Sequence, residues 1–333
     1  MAAGARVPNG VTRGKIALSG DRKADVRSEP DAPRTEVYEQ LRPLLFTIAY
    51  GIVGGVSEAE DIVQEAFLRF HREQREEADI ESPRAWLSTV TTRLAINHVR
   101  SARVRRETYV GTWLPEPLLT DPAPDASQFA ETADSLSMAF LVLLESLSPV
   151  ERAVFLLREV FDYDYDEIAE VVGKTEENCR QIALRARRHV EARKPRFETS
   201  RERREELARR FFEAVGEGDT EGLLHLLADD VIVYSDGGGK ASALPHPVSG
   251  RDRVLRLLMG FSQWMEQLRA DGMRLAEVNG QPGAVLFDRD GRAVLVISLD
   301  IADGVIQAFR GISNPEKLRH LHAAGRRPRP RDT

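Results

Sequence analysis

Apolar residues recur with helical spacing between about residues 35 and 195, and helix start signals punctuate this pattern. Each signal is a capping residue followed by a proline or an acidic residue, and the five capping residues are Ser57, Ser82, Ser148, Asp164 and Thr175. Ser57 with Glu60 predicts a capping box at the start of one of these helices. The pattern therefore predicts an all-helical structure for this half of the chain.

The pattern changes after residue 197. Two helical stretches, RREELARRFFEAV and TEGLLHLLA, are followed by short runs rich in β-branched residues: VIVYS, GAVLFD, RAVLVISLDI and VIQAFRGI. The turn signals Arg289-Asp290-Gly291 and Asp303-Gly304 separate such runs and predict hairpins. Helices followed by antiparallel strands are typical of an α+β domain.

Stretches rich in proline and charged residues divide the chain into segments. The predicted segments are a flexible leader at residues 1–34, a helical module at 35–107, a linker containing WLPEPL at 108–128, a second helical module at 129–196, an α+β domain at 197–322 and a flexible basic tail at 323–333.

Composition limits the function classes. The chain has 333 residues, a formal net charge of −6 and a single cysteine, Cys179. Any contact with nucleic acid must therefore come from local basic faces. One cysteine excludes an intramolecular disulfide and a cysteine-rich zinc site, and no apolar run approaches the roughly 20 residues of a membrane span. We expect a cytoplasmic protein, monomeric when free, without metal, cofactor or membrane contact.

The second helical module contains the outline of a helix-turn-helix, with a turn at Gly173. One stripe of its second helix is apolar and includes Cys179, which we expect in the core. The opposite face is basic, and arginine can pair with guanine and glutamine with adenine in the major groove. The candidate DNA-binding residues are Lys174, Thr175, Arg180, Gln181, Arg185 and Arg188. The alternative is a solvated, arginine-rich helix within a bundle.

The first helical module has two candidate surfaces. In EAEDIVQEAFLRFHR an exposed leucine lies between acidic residues, which is a pattern for docking a protein partner; the candidates are Asp61, Gln64, Glu65 and Leu68. The next helix becomes increasingly basic and can follow a phosphate backbone; its candidates are Trp86, Thr89, Thr92, Arg93, Asn97, Arg100 and Arg103. A merely solvated face and a core position for Trp86 are the alternatives.

These motifs, in this order, resemble the extracytoplasmic-function sigma factors of bacterial RNA polymerase. DIVQEAFLRF resembles their polymerase-binding helix, SPRAWLSTVTTRLAINHVRSARVRRE the helix that reads and opens the −10 promoter element, and the segment from Leu147 to Val190 the domain that reads the −35 element. The resemblance implies binding to the β′ clamp and β flap of RNA polymerase core and to promoter DNA. The polymerase, and not this chain, then performs the chemistry.

The C-terminal half resembles the SnoaL-like polyketide cyclases, which one subgroup of these sigma factors carries as a fused domain. The fold implied is two all-α sigma domains, a helical bundle and then a helix-turn-helix, followed by an α+β cone with a curved antiparallel sheet. Three segments carry this resemblance: WLPEPL, DGGGK and NPEKL. They supply the interdomain candidates Trp113, Leu114, Pro115, Glu116, Pro117, Asp236, Gly237, Gly238, Gly239, Lys240, Asn314, Pro315, Glu316, Lys317 and Leu318.

The resemblance implies that the fused domain regulates the sigma modules in place of a separate anti-sigma factor, with Asp236 and Lys240 able to bond across the interface. The glycine triplet does not match a P-loop, because Ala241 follows the lysine and no glycine stands at the required spacing. Its glycines instead permit positive φ or close approach of the backbone.

Two other functions remain open at this point. The chain could be a ligand-sensing helix-turn-helix regulator that acts without polymerase, or a DNA-binding protein with residual SnoaL-type enzymatic activity. The acid–base candidates for the second are His246, Asp236, Asp288 and Asp300, and no pair of them has a spacing that demands catalysis. We expect no enzymatic activity, while a small ligand in the C-terminal domain stays open.

Overall fold

The computed structural model describes residues 32–76, 80–107, 109–120, 136–192, 200–261 and 270–322. The predicted leader up to residue 31, the tail from residue 323 and linker residues 121–128 lie outside the described residues.

The N-terminal half is helical, as predicted. Its helices are α1 (Ala32–Val53), α2 (Val56–Arg75), α3 (Pro83–Glu107), α4 (Met138–Leu144), α5 (Pro149–Glu159), α6 (Tyr165–Val172) and α7 (Glu176–Glu191). One hydrophobic cluster runs through both helical modules, from Phe67 of α2 to Phe155 of α5 and Ile168 of α6. The two modules therefore pack against each other.

Local capping explains where most of these helices begin. Ser148 and Asp164 each form a capping box, and the Thr175 hydroxyl accepts the Asn178 N–H. The box predicted at Ser57 is wrong, because α2 begins at Val56 after Gly55, which has no side chain to cap it. A more distant residue supplies that cap.

The C-terminal domain is α+β, as predicted. Its helices are α8 (Arg201–Glu217), α9 (Thr220–Leu226) and α10 (Arg251–Met259), and its strands are β1 (Leu227–Asp236), β2 (Val248–Ser249), β3 (Gly272–Val278), β4 (Gln281–Phe287), β5 (Ala293–Ala302) and β6 (Val305–Ile312). The strand order is β2-β1-β6-β5-β4-β3, antiparallel except for the parallel pair β1–β6. The sequence patterns missed α10, β2 and β3.

The sheet has a different partner on each face. One face packs with α8, α9 and α10 around residues such as Phe211 and Leu299. The other packs against the linker and the start of α4, where Leu114 and Met138 contact the cluster that contains Val296. The helical modules and the C-terminal domain thus share a core through the linker. No helix in the described part of the chain is long and apolar enough to cross a membrane.

Candidate functional site

The buried carboxylate of Asp236, at the end of β1, holds the linker. Its Oδ1 accepts the Tyr109 hydroxyl at 2.5 Å, and its Oδ2 accepts the Leu114 N–H at 2.8 Å and the Lys317 ammonium at 2.7 Å. Asp236 is 0% exposed, so these bonds form away from water. We name Tyr109, Leu114, Asp236, Asn314 and Lys317 the interdomain clasp.

Two further hydrogen bonds complete the clasp. The Asn314 amide donates to the Tyr109 hydroxyl at 2.9 Å, and the Lys317 ammonium also donates to the Leu114 carbonyl. Lys317 lies 4.4 Å from the Trp113 ring centroid, within cation–π range. Burial, followed by the Asp236 carboxylate, raises the pKa of Tyr109, so its phenol stays protonated and remains a donor.

The glycine triplet gives the linker room to approach. Gly238 and Gly239 have φ of +58° and +70°. A Cβ on Gly238 would collide with the Asn314 amide, and a Cβ on Gly239 would lie 3.1 Å from the Val110 Cβ. The triplet therefore serves close packing of backbone and linker.

Lys240 behaves differently from the expectation. Its ammonium pairs with Glu316 of the same domain, and both side chains are half exposed. The bond across the interface that was predicted for Lys240 is thus absent among the described residues, and Lys317 supplies the cation instead. Pro315 is exposed beside Glu316, whereas Leu318 is fully buried in the shared core.

Glu116 connects the linker to the first helical module. Its Oε2 accepts the N–H groups of Val56 at 2.8 Å and Ser57 at 3.2 Å, so this linker carboxylate caps the N-terminus of α2. Burial, and then the nearby Glu58 carboxylate, raise the pKa of Glu116 to about 7. The Lys317 ammonium and the two N–H groups oppose that rise. The flanking residues Pro115 and Pro117 are buried as well.

Asn279, in the β3–β4 turn, forms a second set of interdomain hydrogen bonds that the sequence did not reveal. Its amide donates to the Tyr50 hydroxyl of α1 at 2.7 Å and to the Leu136 carbonyl at 2.9 Å, and its oxygen accepts the Leu118 N–H at 3.0 Å. One side chain thus joins both helical modules, the linker and the sheet. The dipeptide Asn279-Gly280 signals a turn, but no local signal indicates these partners.

The predicted −10 helix α3 is partly engaged by the helix-turn-helix. Arg93 donates to the carbonyls of Val171 at 2.9 Å and Glu170 at 2.6 Å, at the C-terminus of α6. The Tyr163 hydroxyl donates to the Ser88 hydroxyl at 2.8 Å in the same contact. Thr92 is 0% exposed. In this arrangement Thr92 is closed to a DNA strand, while Arg93 is exposed but has its guanidinium bonded to two α6 carbonyls.

The other candidates on α3 vary in exposure. Trp86 is half-buried beside Phe70, at 5.6 Å between ring centroids, and Thr89 is half-buried. Asn97 and Arg100 are exposed, and the side chain of Arg103 lies outside the described residues. A nucleic-acid strand can thus reach only part of this surface.

The predicted −35 face of α7 is open. Lys174, Thr175, Arg180, Gln181, Arg185 and Arg188 are all exposed. Cys179 is buried at 0% exposure, as predicted, together with the rest of its stripe. Arg180 pairs with Glu176 at 2.8 Å on the same helix. The module therefore presents an unobstructed basic helix.

The predicted docking face of α2 is open as well. Asp61 and Gln64 are exposed, Glu65 pairs with Arg69 at 2.7 Å, and Leu68 is 52% exposed. The other face of the helix, including Phe67, is buried. An exposed leucine between polar groups is a surface that suits a protein partner.

Three family models match the chain in the order of its domains. Sigma-70 region 2 matches residues 37–105, Sigma-70 region 4 matches residues 137–190, and the SnoaL-like domain matches residues 208–313. These ranges cover the first helical bundle, the helix-turn-helix and the α+β domain.

Curated relatives and a solved structure extend the match to most of the chain. The ECF RNA polymerase sigma factor SigJ of Mycobacterium tuberculosis is 37% identical over 88% of this chain and 96% of its own length. A probable ECF RNA polymerase sigma factor, SigI of the same species, is 32% identical over 87% of this chain and 97% of its length. The crystal structure of SigJ covers 86% of this chain and 98% of that chain, with a TM-score of 0.69 and 35% identity. The chain therefore belongs to the extracytoplasmic-function sigma factors of bacterial RNA polymerase, in a form that carries a SnoaL-like domain after sigma regions 2 and 4.

Proposed function

We propose that this sigma factor recruits RNA polymerase core to promoters and that its own SnoaL-like domain controls how its DNA-reading surfaces are exposed. The control by the SnoaL-like domain rests on the interdomain clasp, in which a buried carboxylate of the C-terminal domain binds the segment that connects the two sigma modules. Contact between tethered domains is intramolecular, so a small interface is enough to shift the balance between two arrangements.

The polymerase-binding surface is the outer face of α2. Asp61, Gln64, Glu65 and Leu68 dock on the β′ clamp, and the helix-turn-helix module contacts the β flap. This face is open in the clasped arrangement, which supports recruitment without prior release of the C-terminal domain. The protein then acts in the cytoplasm, where the polymerase is found.

The promoter-binding surfaces differ in access. The recognition helix α7 presents Arg185 and Arg188 to the −35 element in the clasped arrangement. Helix α3 reads the −10 element, but Arg93 is bound to α6 and Thr92 is buried. Contact of the Arg93 guanidinium with the −10 element therefore requires release of its bonds to the α6 carbonyls, and the clasp, by holding the linker, opposes separation of α3 from α6.

An enzymatic role lacks support from the residues considered for it. His246 is exposed, Asp236 is bound in the clasp, Asp288 caps a turn, and Asp300 pairs with buried Arg310. No hydrogen bond joins any two of the four candidates in the described part of the chain.

Run-off transcription with purified core polymerase tests the proposal. The full chain is expected to direct a specific transcript, and Leu68→Arg is expected to abolish it by placing a cation in the docking face. Leu224→Arg, at another exposed leucine in the C-terminal domain, is the matched control and should keep full yield. If the full chain directs no transcript from any promoter, or Leu68→Arg is as active as the control, the proposed recruitment is wrong.

A further inference from the structure

A tyrosine at the start of α6 contacts an arginine of the predicted −35 face. Tyr165 is the first residue of α6, and the guanidinium carbon of Arg180, on α7, lies 5.2 Å from the centroid of its ring. Attraction between a guanidinium and the face of an aromatic ring extends to about 6 Å from the centroid. The sequence patterns do not single out Tyr165, so this contact adds a residue to the −35 surface.

A second arginine holds the same ring. The guanidinium carbon of Arg158, in the last turn of α5, lies 5.0 Å from the Tyr165 ring centroid. Arg158 also donates to the Tyr163 carbonyl at 2.8 Å, in the loop that leads into α6, and pairs with Asp164 at 3.4 Å. Tyr165 itself is half-buried. Its ring is therefore fixed between the end of α5 and the start of α7, where it faces Arg180.

Arg180 is held at its edge as well. Its Nη2 donates to the Glu176 carboxylate at 2.8 Å, one turn earlier on α7. A guanidinium has five N–H donors in one plane, and contact with an aromatic ring occupies its face and none of these donors. Among the described residues Glu176 is the only hydrogen-bond acceptor of Arg180. The side chain, 57% exposed, is thus held from two sides while most of its donors stay open to DNA.

The other arginines proposed to read the −35 element lack such contacts. Arg185 and Arg188 are exposed and form no hydrogen bond, ion pair or ring contact with the part of the chain that the structure describes. Ordering a long side chain when a complex forms weakens binding by about 2- to 10-fold per side chain. Arg180 is ordered before DNA arrives, so it avoids part of this loss.

We propose that Tyr165 is a positioning residue of the −35 surface and that its ring orders the Arg180 guanidinium for contact with promoter DNA. Tyr165 acts through Arg180 and not by touching the DNA itself. This inference rests on the proposed binding of α7 to the −35 element, and it names a residue outside α7 on which the strength of that binding depends.

The promoter affinity of polymerase holoenzyme tests this role. The probe is a labelled DNA fragment with the promoter from which the full chain directs its run-off transcript, at fixed salt. Tyr165→Leu removes the ring, keeps an apolar side chain and should weaken binding by about 2- to 5-fold, the effect of one exposed cation–π contact. Tyr165→Phe keeps the ring and should bind like the parent, because the Tyr165 hydroxyl forms no hydrogen bond with the described residues.

Phe161→Leu is the matched control. Phe161 lies in the same loop before α6 and packs, partly buried, against the core of the helical modules. Its ring forms no cation–π pair with the described residues. The substitution therefore replaces an aromatic ring by leucine close to Tyr165 without removing a contact to Arg180, and promoter affinity should stay at the parental value.

A double-mutant cycle separates positioning from a general effect on folding. Arg180→Ala should weaken binding more than Tyr165→Leu does, because it removes the whole contact of this side chain with DNA. In the Arg180→Ala background, Tyr165→Leu should have no further effect, since the ring has no guanidinium left to order. A general loss of folded structure would instead weaken binding by the same factor in both backgrounds.

Four results overturn the positioning role: parental affinity of Tyr165→Leu, equal losses in Tyr165→Leu and Tyr165→Phe, a loss of the same size in Phe161→Leu, or an equal effect of Tyr165→Leu with and without Arg180. Parental affinity of Arg180→Ala overturns it too, because no DNA contact is then left to position. With a specific run-off transcript from the parent, each of these results rejects only the role of Tyr165 and leaves the proposed recruitment standing. Absence of any transcript rejects both.

Discussion

Asp236 and Lys317 form a buried ion pair of 2.7 Å at the point where the C-terminal domain meets the linker. The same carboxylate oxygen accepts the Leu114 N–H, and the same ammonium donates to the Leu114 carbonyl. The pair therefore binds both polar groups of one linker residue. Because both charges are withdrawn from water, loss of either one leaves the other without compensation.

Replacement of Asp236 by asparagine should destabilise the clasped chain strongly. The variant keeps an oxygen for the Leu114 N–H but leaves the Lys317 charge buried and unpaired, which costs about 3–5 kcal/mol. Urea denaturation followed by tryptophan fluorescence measures the change. Lys240→Ala breaks the half-exposed pair with Glu316 and should cost at most about 1 kcal/mol. Equal losses in the two variants would contradict the assignment of the clasp.

Glu116 should make the stability of the chain depend on pH between about 4.5 and 7. Its pKa rises from the ordinary 4.5 to about 7 on folding, so in this window the native chain holds a proton that the unfolded chain releases. Stability from this group is complete below pH 4.5 and is lost as the pH rises towards 7. The titratable groups that face it are Glu58, Lys317 and, at 3.9 Å, His320.

The variant Glu116→Gln tests this pH dependence, since it resembles the protonated form and keeps an acceptor for the Val56 N–H. It should match the parent below pH 4.5 and exceed its stability by about 1–3 kcal/mol above pH 7. Chemical denaturation at several pH values gives the comparison, with the exposed Glu213→Gln as control. A constant difference between Glu116→Gln and the parent across the window would refute the raised pKa.

The side chain of Asn279 should stabilise the contact of the C-terminal domain with the linker and the helical modules. Its three side-chain bonds reach Tyr50, Leu136 and Leu118, and its φ of +53° suits asparagine or glycine. Asn279→Gly keeps the backbone conformation and should lose about 2–4 kcal/mol, the sum of two to three hydrogen bonds. Asn279→Ala adds backbone strain and should lose more. Thermal denaturation ranks the variants. An Asn279→Gly variant as stable as the parent would show that the three side-chain hydrogen bonds contribute nothing to stability.

Arg185 and Arg188 should contribute to recognition of the −35 element. Alanine at either position should weaken binding of polymerase holoenzyme to its promoter by about 1–3 kcal/mol if the side chain pairs with a base. Arg187→Ala is the matched control, because the Arg187 guanidinium pairs with Glu159 at 2.6 Å. Promoter affinity at fixed salt is the measurement. Equal losses of promoter affinity in Arg185→Ala and Arg187→Ala would show that α7 does not take part in specific recognition.

Features that depend on neighbours in the sequence were predictable. The capping boxes at Ser148 and Asp164 and the buried stripe of Cys179 follow from residues within one or two helical turns. The cap of α2 was not predictable in this way, because Glu116 reaches Val56 across 60 residues and displaces the local candidate Ser57. Short-range patterns carry no information about such partners.

The clasp was predictable only in part. The segments WLPEPL, DGGGK and NPEKL indicated where the domains meet, but not which side chains bond. Lys240 was the expected cation, whereas Lys317 fills that role from 81 residues after Asp236. Asn279 lay in a recognisable turn, yet its contact with Tyr50 spans 229 residues. Tertiary packing, and not local propensity, selects these partners.

Run-off transcription by a clasp variant tests most directly whether the C-terminal domain restrains the sigma modules. The double variant Asp236→Asn/Lys317→Met removes both buried charges together, so no unpaired ion remains. With equal amounts of bound core polymerase, we predict a several-fold higher transcript yield than from the parent, because the Arg93 guanidinium is released from the α6 carbonyls for contact with the −10 element. An unchanged yield would contradict control through the clasp, and a lower yield would show that the clasped arrangement is itself the active one.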